Sequence, residues 1–184
     1  AKIGVSRTPV REAVIQLSEE SRIIEIFPQR GMRIAPIDVE LVEEARSLRV
    51  LLEKQIAGMC CEMATEEDIK WLQENVGLQE FYMENSRPEM VMQLDDEMHH
   101  KLFMICHREL TYGMCQKLAI HYDRIRSLSV NTVKDNTIIE DHRKIIQFIA
   151  EHKKENAMAQ MEKHLSRWQL NEGKFRQEFP DYFK

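Results

Sequence analysis

Apolar residues recur every three or four positions along most of this chain, the period of helices with one buried face. The longest run goes from Val39 to about Cys61, with Leu41, Val42, Ala45, Leu48, Leu52, Ile56 and Met59 on one side. Asp38 stands before it as a cap. Thr65-Glu66-Glu67-Asp68 has capping-box spacing and opens a stripe through Ile69, Leu72, Val76 and Phe81 to about Asn85. Ser86-Arg87-Pro88 ends that stripe. Further helices are predicted from about Met90 to His107, from Thr111 to Val130 and from Ile138 to Glu151. A polar, turn-like stretch at 131–136 separates the last two. One long final helix is expected from Lys154 to Phe175, with Ala157, Met161, His164, Leu165 and Trp168 inward. The front of the chain differs. A helix from Thr8 to about Glu20 carries Val10, Ala13, Val14 and Leu17 at helical spacing. It is followed by Ile23–Phe27 and Met32–Ile34 around Pro28-Gln29-Arg30-Gly31, the pattern of a β-hairpin. The chain is therefore mainly α. Residues 1–36 form a small helix-plus-hairpin unit, and residues 37–184 an all-α antiparallel helical bundle of about six helices or more.

A helix followed by a β-wing is the second half of a winged helix-turn-helix. Ser6 reads as the N-cap, and Pro9 sits in the first turn, where its missing N–H costs little. Arg7, Thr8 and Arg11 then lie at the start and outer face of the helix, where side chains and backbone N–H groups meet phosphates and base edges. The turn would carry Gln29, Arg30 and Gly31 to a neighbouring groove or backbone. Charge follows the same division. The whole chain has a net charge of −5, yet residues 1–36 hold six Lys/Arg against four acids and the remainder carries −7. A basic end on an acidic body suggests two parts with different partners. No apolar run approaches the ~18 residues of a membrane span. The four cysteines, Cys60, Cys61, Cys106 and Cys115, form neither a CxxC pair nor a disulfide-dense pattern. With eleven methionines and no signal peptide, they read as reduced thiols of a cytoplasmic protein.

The stretch with the most chemistry is Gln93 to Phe103. Asp95 and His99 are four residues apart, one above the other on a helix, beside the stripe of Leu94, Met98, Leu102 and Phe103. His142 and His164 lie about ten residues before and after the turn near Lys153. An antiparallel pair brings both to ~15 Å from that turn at ~1.5 Å per residue. Asp95, His99, His142 and His164 then make one oxygen and three nitrogen donors, a set suited to Zn²⁺, Ni²⁺, Mn²⁺ or Fe²⁺. His100 is about 100° round the helix from His99 and should point elsewhere. His107, His121 and His152 complete the seven histidines. Two other readings stay open. A metal with an open position activates water in hydrolytic enzymes, although no HExxH pattern is present. Histidines on helical stripes also serve simply as core residues of a structural bundle.

Gly4-Val5-Ser6-Arg7-Thr8-Pro9-Val10-Arg11-Glu12-Ala13, with Pro28-Gln29-Arg30-Gly31 after it, resembles the recognition helix and wing of GntR-family transcriptional regulators. Two positions depart from that pattern. Ser21-Arg22 stands where the family has Gly-Leu, and the segment before the wing is about one residue longer. The resemblance implies that the family's first helix and most of its second precede Ala1. Residues 37–184 resemble the FCD ligand-sensing domain, through Arg49-x-x-Leu52-Glu53, Asp95-x-x-Met98-His99, Asp141-His142-Arg143-Lys144-Ile145-Ile146 and Met161-Glu162-Lys163-His164-Leu165. His107-Arg108 replaces the family's Gly-Asn. The resemblance implies DNA contacts from Ser6, Arg7, Thr8, Arg11, Arg30 and Gly31, and a divalent metal ion (Zn, Ni or Mn) on Asp95, His99, His142 and His164. It also implies a small-molecule carboxylate completing the coordination. Arg49 would be the carboxylate's bidentate partner; its other reading is a helix-surface ion pair. The function expected is a ligand-responsive regulator acting as a homodimer on an operator, with no catalysis.

Overall fold

A computed structural model describes residues 4, 6–132 and 137–184, and the side chains of all of these except Asn131, Thr132, Trp168, Leu170 and Asn171. Val5, most of the polar stretch before Ile138 and the inward place expected of Trp168 fall outside that description. Helix α1 spans Arg7–Ser21 and ends at Arg22, which adopts the left-handed conformation at φ 55°. Ser6 has the extended backbone of an N-cap, but its side chain makes no capping hydrogen bond. A capping hydroxyl accepts from the second or third N–H of the helix, and the third residue here is Pro9, which has none. Strands β1 (Ile24–Phe27) and β2 (Gly31–Ile34) pair antiparallel, with Ile24 opposite Ile34 and Phe27 opposite Gly31. The turn uses positive φ at Gln29 (62°) and Gly31 (104°).

The bundle begins at α2 (Val39–Met63), where the Asp38 carboxylate accepts from the N–H of Glu40 at 3.1 Å. Next comes α3 (Glu66–Glu84), closed at its start by a reciprocal capping box. Thr65 Oγ1 accepts from Asp68 N at 3.1 Å, and Asp68 accepts from Thr65 N at 3.0 Å. Pro88 opens α4 (Pro88–Ile105), a position where its missing N–H is not needed. Then follow α5 (Glu109–Thr132), α6 (Thr137–Ala150), α7 (Lys154–Leu165), α8 (Trp168–Glu178) and a 3₁₀ turn at Pro180–Tyr182. The single helix expected from Lys154 to Phe175 is thus two. Ser166 Oγ donates to the carbonyl of Glu162 at 2.8 Å, and the N–H groups of Ser166 and Arg167 turn back to Lys163 and His164. A serine that bonds its own preceding turn bends the helix there.

Two cores result. The larger joins α2, α3, α4, α6 and α7 through residues such as Ile56, Leu72, Phe103, Ile145 and Met161. The smaller joins α2 and α5 to the chain's end through Val42, Tyr122, Ile125, Phe175 and Phe183. Phe81, expected inward, is 54% exposed. Beyond β2 the described residues contain no strand, only a single parallel bridge between Ile37 and Phe183. This bridge lays the last residues against the linker, with Ile37 N donating to Tyr182 O at 2.6 Å and Lys184 N to Ile37 O at 3.1 Å.

Candidate metal centre

Three helices bring the four predicted donors together. Helix α4 presents Asp95 and His99 one turn apart, α6 presents His142, and α7, folded back after the turn at His152, presents His164. His142 Nε2 lies 3.3 Å from His164 Nε2 and 3.2 Å from Asp95 Oδ1, while Asp95 Oδ2 is 3.9 Å from His99 Nε2. One ligand atom from each of the four falls within 4.8 Å of all the others, and all four residues are buried. Donors about 2.0–2.2 Å from a shared ion stand about 3–4.4 Å apart. His99 Nε2 and His164 Nδ1 are buried without any hydrogen-bond partner. Leaving such an atom unmet costs about 1–3 kcal/mol. These side chains fit a divalent cation, because the orphaned Nε2 of His99 faces the other donors and the set is one oxygen and three nitrogens.

The surrounding residues hold the donors in the right form. Gln79 donates from Nε2 to Asn75 Oδ1 at 2.7 Å and to Leu94 O at 3.4 Å, which leaves its Oε1 facing His142 Nδ1 at 2.9 Å. His142 therefore donates from Nδ1 and keeps a lone pair on Nε2, directed at the cluster. His99 Nδ1 stands 2.5 Å from Glu53 Oε2, and the other oxygen of Glu53 accepts from Arg49 Nε at 2.5 Å. Arg126 donates to Asp95, and at 2.8 and 2.7 Å to Asp96 and Asp123. Burial works against the charge on Asp95, but the Arg126 guanidinium and the histidines outweigh it and hold the carboxyl well below its usual range. Glu53 is likewise held down to about 2, Arg49 and His99 overcoming its burial. Burial pushes His142 and His164 below the ordinary imidazole value, so both favour the neutral form that a metal requires.

Beside the cluster is a cavity of about 50 Å³, lined by the polar Arg49, Asp95, Tyr122, Arg126, His164 and Arg167 and by the apolar Val91, Met92, Ile125, Val130 and Ile138. A space of this size holds a few waters or a small acid. Arg49 is 7% exposed, so it is no surface pair; it bonds Glu53 and lies over the Tyr122 ring at 5.1 Å to the centroid. Arg167 is tied to Asp141, itself bonded by Gln160 at 2.6 Å. The remaining histidines stand elsewhere. His100 stacks on Tyr112 and His152 bonds the carbonyl of Cys61. Ser6, Arg7, Thr8, Arg11, Arg30 and Gly31 are all exposed on the helix and wing. Sequence reasoning missed Gln79 and Arg126 and gave Glu53 no role. These residues come from α3, α5 and α2, at no spacing that links them to the histidines.

The FCD domain family matches residues 44–167. The chain is 28% identical over 183 residues to the HTH-type transcriptional repressor RspR of Escherichia coli strain K12, covering 99% of this chain and 80% of that protein. It is 24% identical over 166 residues to the uncharacterized HTH-type transcriptional regulator YdhC of Bacillus subtilis strain 168, covering 89% and 73%. Among solved structures it is similar to E. coli McbR/YncC, with a TM-score of 0.78 at 18% identity over 97% of this chain and 89% of that one. Streptococcus agalactiae GntR aligns with a TM-score of 0.58 at 24% identity, over 89% and 81%. These last two likenesses speak for the fold. The chain belongs to the FCD-domain family and is a regulator of the GntR type.

Proposed function

We propose that this regulator senses a small organic acid through a divalent metal ion, Zn²⁺, Ni²⁺ or Mn²⁺, held by Asp95, His99, His142 and His164. The observation that carries this reading is the convergence of four buried donors within 4.8 Å, one of them with no other partner. A bound metal would supply a Lewis-acid centre that accepts a carboxylate oxygen. The chain's own residues do the rest. Gln79 and Glu53 orient two imidazoles, Arg126 holds Asp95 ionised, and Arg49 offers a guanidinium in the cavity wall for the second carboxylate oxygen. The apolar wall beyond favours a short hydrocarbon portion on the acid.

Ser6, Arg7, Thr8 and Arg11 on α1, with Arg30 and Gly31 on the wing, are the proposed DNA contacts. Their exposure on one basic unit supports this. A homodimer would place two such units on an operator. Leu110, Met114 and Leu118, 89%, 69% and 37% exposed, form an apolar stripe one turn apart along α5 that a second copy could cover. The relatives named as transcriptional regulators support this reading over an enzyme.

Metal analysis by mass spectrometry on the purified chain tests the sensing centre. About one ion per chain is expected, lost in His142→Ala and in His164→Ala. A chain that takes up no Zn²⁺, Ni²⁺ or Mn²⁺ overturns the metal-centred reading and leaves the DNA-binding one standing.

A further inference from the structure

One short segment of α5 is bonded to both ends of the molecule. On one face, Arg126 donates to the proposed ligand Asp95, and Tyr122 donates from its hydroxyl to the carbonyl of Leu165, the residue after His164, at 3.1 Å. The ring of Tyr122 also lies beneath the Arg49 guanidinium. On the opposite face, Arg124 donates to the linker carbonyls of Ala35 at 2.7 Å and Pro36 at 3.4 Å. His121 lines the same cleft as Ser18 and Arg22, at the end of the proposed DNA-reading helix. The division follows from helix geometry. At about 100° per residue, 121 and 124 share one face while 122 and 126 lie about 150° round the helix from them. Six consecutive residues thus touch the metal ligands and the DNA-binding unit without any flexible connection between the two sets.

We propose that Arg124 is the positioning residue that sets the DNA-binding unit according to the state of the metal site. This rests on the metal reading given above. Asp95 already turns Oδ1 to His142 Nε2 while Oδ2 accepts from Arg126, so any adjustment of Asp95 to an ion is met by Arg126, which either follows it or falls back on Asp96 and Asp123. Tyr122 likewise follows the backbone beside His164. A helix that is rigid over this segment passes either displacement to Arg124, and so to Ala35 and Pro36. The linker has a second anchor in the pairing of Ile37 with Tyr182 and Lys184. Among the described residues none of the backbone hydrogen bonds of that anchor reaches a proposed metal ligand, so it acts as the fixed side against which Arg124 pulls. Coupling of this kind is reciprocal: whatever the metal does to the linker, the linker does to metal affinity.

Hydrogen–deuterium exchange on the chain, chelator-treated and then loaded with Zn²⁺ or Ni²⁺ alone, tests this. Metal content is determined first. In the wild-type chain holding metal, amides from Ser21 to Asp38 are expected to change their exchange rate by ~5-fold or more, the low end of ordinary coupling. Arg124→Ala should retain one ion per chain and lose that response. Arg124→Lys, which keeps the cation but replaces the two-nitrogen fork by a single ammonium, guards against a folding defect and should give a reduced response. A linker that does not respond in a metal-holding wild type overturns the proposal. So does a response that survives in Arg124→Ala. A wild-type chain that binds no metal shows up in the metal analysis, before exchange is measured, and removes the sensing reading and this one together.

Discussion

At the scale of single residues, the centre depends on which nitrogen of each imidazole carries the proton. Gln79 settles this for His142 by presenting an oxygen to Nδ1. Gln79→Ala removes that acceptor without touching a proposed ligand. It is expected to weaken metal binding about 10–100-fold, the usual cost of losing such a partner, as read by competition with a chromophoric chelator. Proton binding gives a second test. Burial lowers the pKa of His142 and His164 in the folded chain, while the unfolded chain titrates near its ordinary value of about 6.5. Below that value the unfolded state binds more protons, so stability rises with pH and is lost as pH falls. Thermal melts of the chelator-treated chain should therefore show the melting temperature dropping below about pH 6.5, with a shallower slope in His164→Ala. An unchanged slope in that variant would show that His164 does not carry the effect.

Among the elements, helix starts are where local chemistry speaks most clearly. Thr65 and Asp68 exchange bonds as their spacing predicts, and Thr65→Ala, which breaks the box, should cost about 1 kcal/mol in denaturant unfolding. Asp38 caps α2 for the same reason. The levelling of His142 with His164 was also legible, since equal distances from a helical turn need only a rise per residue. What was not legible came from side chains competing with the helix or reaching across it. The apolar stripe runs unbroken through Ser166, yet the hydroxyl of that serine bends the chain and divides α7 from α8. The residues that hold the donors, Gln79 and Arg126, lie on α3 and α5, and nothing in linear spacing ties them to His142 or Asp95. Ser6 shows a smaller failure of the same kind: the residue takes the backbone of a cap, but the proline three residues on leaves only one of the two usual donors, and the hydroxyl makes no capping bond.

At the scale of the whole molecule, the basic unit and the acidic bundle make different demands. Replacing Leu110 and Met114 by Glu places charge on the exposed stripe of α5 and is expected to shift a dimer to monomer in sedimentation or light scattering, with the metal content unchanged. An unaltered mass would move the dimer surface elsewhere. The C-terminal end has a practical bearing of its own. Tyr182 and Lys184 are paired with Ile37, Phe183 packs in the smaller core, and the Lys184 ammonium reaches the capping Asp38 at 2.7 Å. Residues 182–184 are therefore part of the joint between the two units. Changes at Tyr182, Phe183 or Lys184 would load that joint, so DNA-binding curves from variants altered there would carry a strain on the linker as well as the strength of the DNA contacts.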